Sequence, residues 1–105
     1  MEVNRNKHIK MEAKTDVQFR VFKGEIIAVF PYMIVSHTDV QSYMYVGQHS
    51  GCAFDINNFS KPAKPAQYKD LKNELESLGY NLNVIKRRDH SKYLKEYWKF
   101  RTEYR

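Results

Sequence analysis

The stretch Asp16–Phe30 (DVQFRVFKGEIIAVF) constrains this chain more than any other. Val17, Phe19 and Val21 alternate with Gln18 and Arg20. A period of two puts successive side chains on opposite faces of a strand, so this is read as a half-buried strand with Gln18 and Arg20 on its wet face. Lys23-Gly24 supplies a tight reversal, because glycine accepts the positive φ that hairpin turns require. Ile26-Ile27-Ala28-Val29-Phe30 is apolar without interruption, the pattern of a strand covered on both faces or nearly so. Pro31 has no N–H to give a ladder and is expected to end this second strand.

Beyond the hairpin, residues 31–40 read as a mixed loop centred on Ser36-His37-Thr38-Asp39. A Tyr- and Val-rich third strand follows from about Gln41 to Gly47, with Ser42, Met44 and Val46 on one face and Tyr43 and Tyr45 on the other. Residues 48–64 carry glycine, asparagine, serine and a proline, and are expected to form a long irregular loop, a place to look for function. Pro65 suits a first helical turn. Tyr68, Leu71, Leu75 and Leu78 form an apolar stripe, and Gly79 reads as the stop. Asn81–Lys86 is a short strand. A second helix starts near Ser91, capped by Asp89 or Ser91, and aligns Tyr93, Tyr97, Phe100 and Tyr104, with Leu94 and Trp98 alongside.

The element order is therefore β-β-β-α-β-α. The expected fold is α+β: a mainly antiparallel four-stranded sheet with one helix packed on a face and a C-terminal amphipathic helix. The expected division is a flexible N-terminal arm over 1–14, a single α+β domain over 15–88, and an aromatic and basic C-terminal helix over 89–105. A single cysteine excludes an internal disulfide, so packing alone must hold the fold, as suits a reducing compartment. The most apolar run, residues 26–35, is half the roughly 20 residues a membrane helix needs and contains Pro31. The first 14 residues lack the apolar core of a secretory signal. The expected location is cytoplasmic, with no membrane partner. The net charge of +6 is uneven: +2 over residues 1–14, −1 over 15–85 and +5 over 86–105. The body is nearly neutral and the basic character sits in the tail.

Three groups of residues are candidates for chemistry or binding. His49-Ser50-Gly51-Cys52 places a histidine beside the lone thiol, and with His37 and Asp55 it could be assembled into a nucleophile-base pair or a zinc site. Both need more partners than the pattern supplies, so no metal, cofactor or catalytic residue is assigned. Cys52 reads better as a small buried hydrophobe. The segment Lys86-Arg87-Arg88 with Lys92, Lys95 and Lys99 has the residue types that neutralise phosphates. Tyr93, Tyr97, Trp98, Phe100 and Tyr104 would bury their stripe against the sheet or a partner subunit. Tyr43, Tyr45, Gln48 and His49, beside Asn57-Asn58, could line a small binding pocket, although strand tyrosines are commonly sheet formers.

Residues 19–31, then Ser42-Tyr43-Met44-Tyr45-Val46-Gly47-Gln48-His49, then 68–82 and 84–87 resemble a family of small uncharacterised bacterial proteins, often carried by phage or mobile elements. The SYxxVGQH strand is the strongest piece. The resemblance implies that three strands, a helix and a last strand form one unit, to which the arm and the aromatic tail are additions. It implies no established activity. Cys52 stands where that pattern has small residues, and Lys64 where a capping Ser or Thr is expected. The leading expectation is a non-enzymatic accessory or binding domain acting through protein contacts or self-association by way of the tail helix. A nucleic-acid-binding accessory protein using the basic tail is the alternative, and a small hydrolase or metal protein built on His49 is the third.

Overall fold

The computed structural model describes residues 14–44, 48–53 and 55–104, with the backbone alone for 48–50 and 104. Two strands, β1 (Thr15–Phe22) and β2 (Glu25–Ile34), form the expected hairpin. Phe22 pairs with Glu25, Arg20 with Ile27 and Gln18 with Val29. The two-residue turn has positive φ at both positions, 50° at Lys23 and 80° at Gly24, the twist that matches flanking strands.

The chain is α+β, as its element order implies, but the sheet is larger than expected. Among the described residues it has six strands, the others being β3 (Asp39–Met44), β4 (Gln48–Ala53), β5 (Lys61–Pro62) and β6 (Leu82–Val84). The order β4-β3-β2-β1 is antiparallel throughout. Both extra strands come from residues 48–64, read above as a loop. Gln-His-Ser-Gly-Cys-Ala lacks the β-branched and aromatic residues that mark a strand, so β4 is held at the sheet edge by its ladder with β3. Pro31 does not end β2. It falls in the register shift between Phe30 and Ile34, where the ladder skips and no N–H is needed from it.

On its outer edge β1 has two partners in succession. β6 runs parallel to Thr15–Val17, and β5 runs antiparallel to Arg20 and Val21. Between them the edge forks.

One face of the sheet carries Val17, Phe19, Ala28, Phe30 and Tyr43, covered by Leu71 and Leu75 of α1 (Pro65–Ser77) and by Leu82. Phe19 stacks on Tyr68 at 4.3 Å and Phe30 on Tyr80 at 5.4 Å. Burying each leucine contributes about 1.5–3 kcal/mol. Gln67 returns its side-chain oxygen to the Lys64 N–H at 2.8 Å, which completes a start that Lys64 itself cannot cap. At the other end Gly79, φ 106°, forms the stop: its N–H bonds the Glu76 carbonyl and that of Tyr80 bonds Leu75.

The opposite face holds Ile27, Val29 and Val40, covered by Ile56 and by Tyr93 of α2 (His90–Tyr104). Asp89 caps α2, accepting the N–H groups of Ser91 and Lys92 at 3.0 and 3.3 Å, and gives its own N–H to the Tyr32 hydroxyl at 2.7 Å. The aromatic helix therefore folds back onto its own sheet.

Lys23 is a side chain held where L-residues are strained, and asparagine tolerates that conformation better. Lys23→Asn forfeits only the ammonium resting 5.3 Å from the Phe22 ring centre. A net gain of about 0.5–1 kcal/mol is expected, a rise of roughly 3–6 °C in Tm. A thermal melt showing a lower Tm would contradict this account of the turn.

Candidate anion-binding cleft

Gln18 and Arg20 stand opposite Val29 and Ile27, so they share the sheet face that α2 and the 56–60 segment cover. They are not on a wet face. Gln18 is 1% exposed and Arg20 6%. A polar group buried at such a place must find hydrogen bonds or cost the fold about 1–3 kcal/mol. Gln18 exchanges amide hydrogen bonds with Asn57, at 3.1 and 3.3 Å, and donates to the Lys86 carbonyl at 3.0 Å. Arg20 donates from Nε to Ser60 Oγ at 2.9 Å, and from Nη2 to the carbonyls of Asn57 at 3.2 Å and Ser60 at 2.7 Å. Ser60 is itself fixed, its hydroxyl donating to the Ile56 carbonyl at 2.8 Å.

All three Arg20 acceptors are neutral oxygens. Among the described residues Arg20 meets no carboxylate, and no partner is found for the two N–H groups of Nη1. Burial lowers its pKa from the ordinary guanidinium value, yet a guanidinium keeps its proton at neutral pH. A buried positive charge therefore sits without a counter-charge among the described residues.

More positive charge converges on it. The Ile85 N–H bonds the Val17 carbonyl at 2.9 Å, which carries the chain leaving β6 along the β1 edge and sets Lys86, Arg87 and Arg88 at the fork. Arg20, Asn57, Pro62, Lys86, Arg87 and Arg88 line one cleft of about 480 Å³. The Arg88 guanidinium lies over the Tyr93 ring, 4.6 Å from its centre, so the wall is braced by α2. Such an arrangement is chemically suited to an anion, and among the described residues that line it there is no acid-base pair.

The other basic residues of the tail go elsewhere. Lys92 bonds Asp16 at 2.8 Å and rests over Tyr32 at 4.5 Å. Burial pushes the Asp16 carboxyl up, but the hydrogen bonds from Lys92 and Asn83 and the Lys92 charge outweigh it and leave the pKa lowered. Lys95 and Lys99 lie on the outer face of α2 with Leu94 and Trp98, and Lys99 is 3.7 Å from Glu96.

The aromatic set is divided as well. Tyr93 is 5% exposed, and burial raises its phenol pKa. Tyr97 packs against the same core, and Tyr97 and Phe100 meet the His37 ring edge-on at 6.3 and 5.5 Å. Trp98 faces outward, 55% exposed. The Tyr104 side chain lies outside the described residues.

Tyr43 is not a pocket residue: it is fully buried among the core, and its hydroxyl donates to the Glu74 carboxylate of α1. Tyr45 lies outside the described residues, as do the side chains of Gln48 and His49, whose backbones pair with Met44 and Tyr43. Among the described residues no three of His, Cys, Asp and Glu are grouped to hold a metal. His37 belongs to the docking of α2, and Asp55 gives its carbonyl to the Asn58 N–H.

Arg20, Gln18 and Ser60 were not among the residues singled out from the sequence, and Asn57 was singled out only for a pocket with the β3 tyrosines. One signal was there: β2 reads as covered on both faces, and a two-residue turn fixes Gln18 and Arg20 opposite two of its covered side chains.

No protein-family model, curated protein or solved structure matches this chain. Among the described residues no helix is long and apolar enough to cross a membrane.

Cys52 lines an apolar groove with Phe22, Ile27, Ala53, Ile56 and Phe59. Burial, aided by the nearby Asp39 charge and opposed by a hydrogen bond with Ser42, pushes its thiol up from 9.0 to about 11. Folding thus favours the protonated form, and above its ordinary pKa the unfolded chain gives up this proton first. Cys52 is expected to withdraw stability as pH rises from 9 toward 11. Urea melts across that window should show wild type losing ground against Cys52→Ala; a constant difference between the two would contradict this.

Proposed function

We propose that this chain is a non-enzymatic accessory domain that binds the phosphate backbone of nucleic acid through its basic cleft. The observation that supports this reading best is the convergence of Lys86, Arg87 and Arg88 on the buried Arg20, which meets no carboxylate among the described residues. Three of the tail's cations thereby meet a fourth from β1, and the +5 charge of residues 86–105 gives long-range attraction to a polyanion. The docking of Tyr93, Tyr97 and Phe100 on their own sheet takes away much of the apolar surface that favoured protein contacts.

Binding of a labelled single-stranded oligonucleotide, followed by fluorescence anisotropy, should weaken steeply with salt. Three phosphate contacts correspond to a log–log slope of about −2. Charge reversal at Lys86 and Arg87, both exposed, should weaken binding by about tenfold or more at low salt without altering the melt. Affinity indifferent to salt, or to both reversals, would refute the proposal.

A second reading rests on the outer face of α2, where Trp98 is 55% and Leu94 38% exposed beside Lys95 and Lys99. Apolar side chains placed together on a helix that is already docked suit self-association through that face. Light scattering at increasing concentration should then show a dimer that Trp98→Glu dissociates. A monomer at all concentrations rules it out.

A further inference from the structure

We infer that the cleft takes a terminal phosphate monoester, the phosphorylated end of a nucleic-acid strand, with Arg20 as the anchor on its floor. This rests on the nucleic-acid reading and specifies which part of the polymer enters the cleft.

The floor sets the first requirement. Nε and Nη2 of Arg20 are spent on Ser60 and Asn57, while the Nη1 pair has no partner among the described residues. Arg20 is 6% exposed and lines the cleft between the Asn57–Pro62 wall and the Lys86–Arg88 wall, so a ligand entering there meets it at the cleft floor. A phosphodiester in mid-strand is tethered on two sides and would have to carry both sugars inward. A terminal monoester is tethered on one side and presents three free oxygens.

Charge sets the second. A monoester carries about 1.5 to 2 negative charges at neutral pH, against one for a diester. The cleft presents the guanidinium of Arg20 with Lys86, Arg87 and Arg88, and among the described residues no acidic side chain lines it. A multiply charged group is the better match to that set.

Size sets the third. About 480 Å³ exceeds what a phosphate alone needs and falls in the range of sites that enclose a small organic ligand, so a terminal nucleotide is accommodated with its phosphate.

The test uses the full chain and three labelled oligothymidylates of equal length, with a 5′-phosphate, a 3′-phosphate or hydroxyls at both ends, titrated at one salt concentration and neutral pH. One phosphorylated end should bind about tenfold more tightly than the hydroxyl strand, the scale of added hydrogen bonds to a charged group. Inorganic phosphate should compete that advantage away. Because Arg20 also ties down the 56–60 segment, Arg20→Lys is scored only if its thermal melt remains cooperative. It should then lose the preference for the phosphorylated end, because an ammonium cannot replace the guanidinium fork. Wild-type protein alone keeps the inference falsifiable. Equal, salt-dependent affinity for all three strands would overturn it and leave the backbone-binding reading standing. Failure of all three to bind would remove both. Tighter binding of a phosphoserine peptide than of any strand would assign the cleft to a protein partner and overturn both.

Discussion

The middle of β1 is covered from both sides, and much of the molecule follows from how that strand satisfies its own polar residues. Val17 and Phe19 meet α1 on one face, as an alternating strand should. On the other face Gln18 and Arg20 lie where their hairpin partners Val29 and Ile27 are core. An amide and a guanidinium cannot be taken out of water there without partners. The chain answers with the 56–60 segment, whose Asn57 and Ser60 supply side-chain and main-chain oxygens. The same demand therefore helps order a stretch that Ile56 anchors to the core, and joins residues about 40 positions apart.

Much of the architecture was legible because local chemistry agreed with the global pattern. The Lys23-Gly24 reversal, the α1 stripe with Pro65 before and Gly79 after it, and the capping of α2 by Asp89 each rest on a residue type suited to one backbone conformation. Where reading failed, the determining contact was distant. β4 has no strand propensity and exists because β3 offers it an edge. Pro31 stays in β2 because the register shifts at that point. The cleft failed for a related reason. Alternation says which side chains share a face, but it does not say whether that face is wet. Arg20 looked solvated because polar residues in an alternating strand usually are. That Lys86–Arg88 would converge on it depends on β6 pairing in parallel with β1, a long-range choice that spacing does not encode.

The C-terminal helix shows why composition alone left two functions open. Its aromatic and basic residues are interleaved, and a stripe of either kind could be drawn. Docking separates them. Tyr93, Tyr97 and Phe100 face the sheet or His37, and Lys92 is drawn into a pair with Asp16. Leu94, Lys95, Trp98 and Lys99 remain outside. Arg88, just before the helix, rests on Tyr93, so the helix that completes the core also braces one wall of the cleft.

The fork in the β1 edge explains why a charged cleft sits at this point of the fold. A strand of eight residues, paired along its whole outer edge by one neighbour, would leave no gap for a ligand. Here β6 holds only the first three residues and β5 only Arg20 and Val21. The chain leaving β6 and the chain leaving β5 approach each other along Gln18 and Phe19 and must diverge there, beside Arg20 at the end of the β5 ladder. Two short strands, each too small to stabilise much alone, thus place a buried cation between two walls, one of which carries three more. The brevity of β5 and β6 is what leaves Arg20 lining a cleft instead of a continuous ladder.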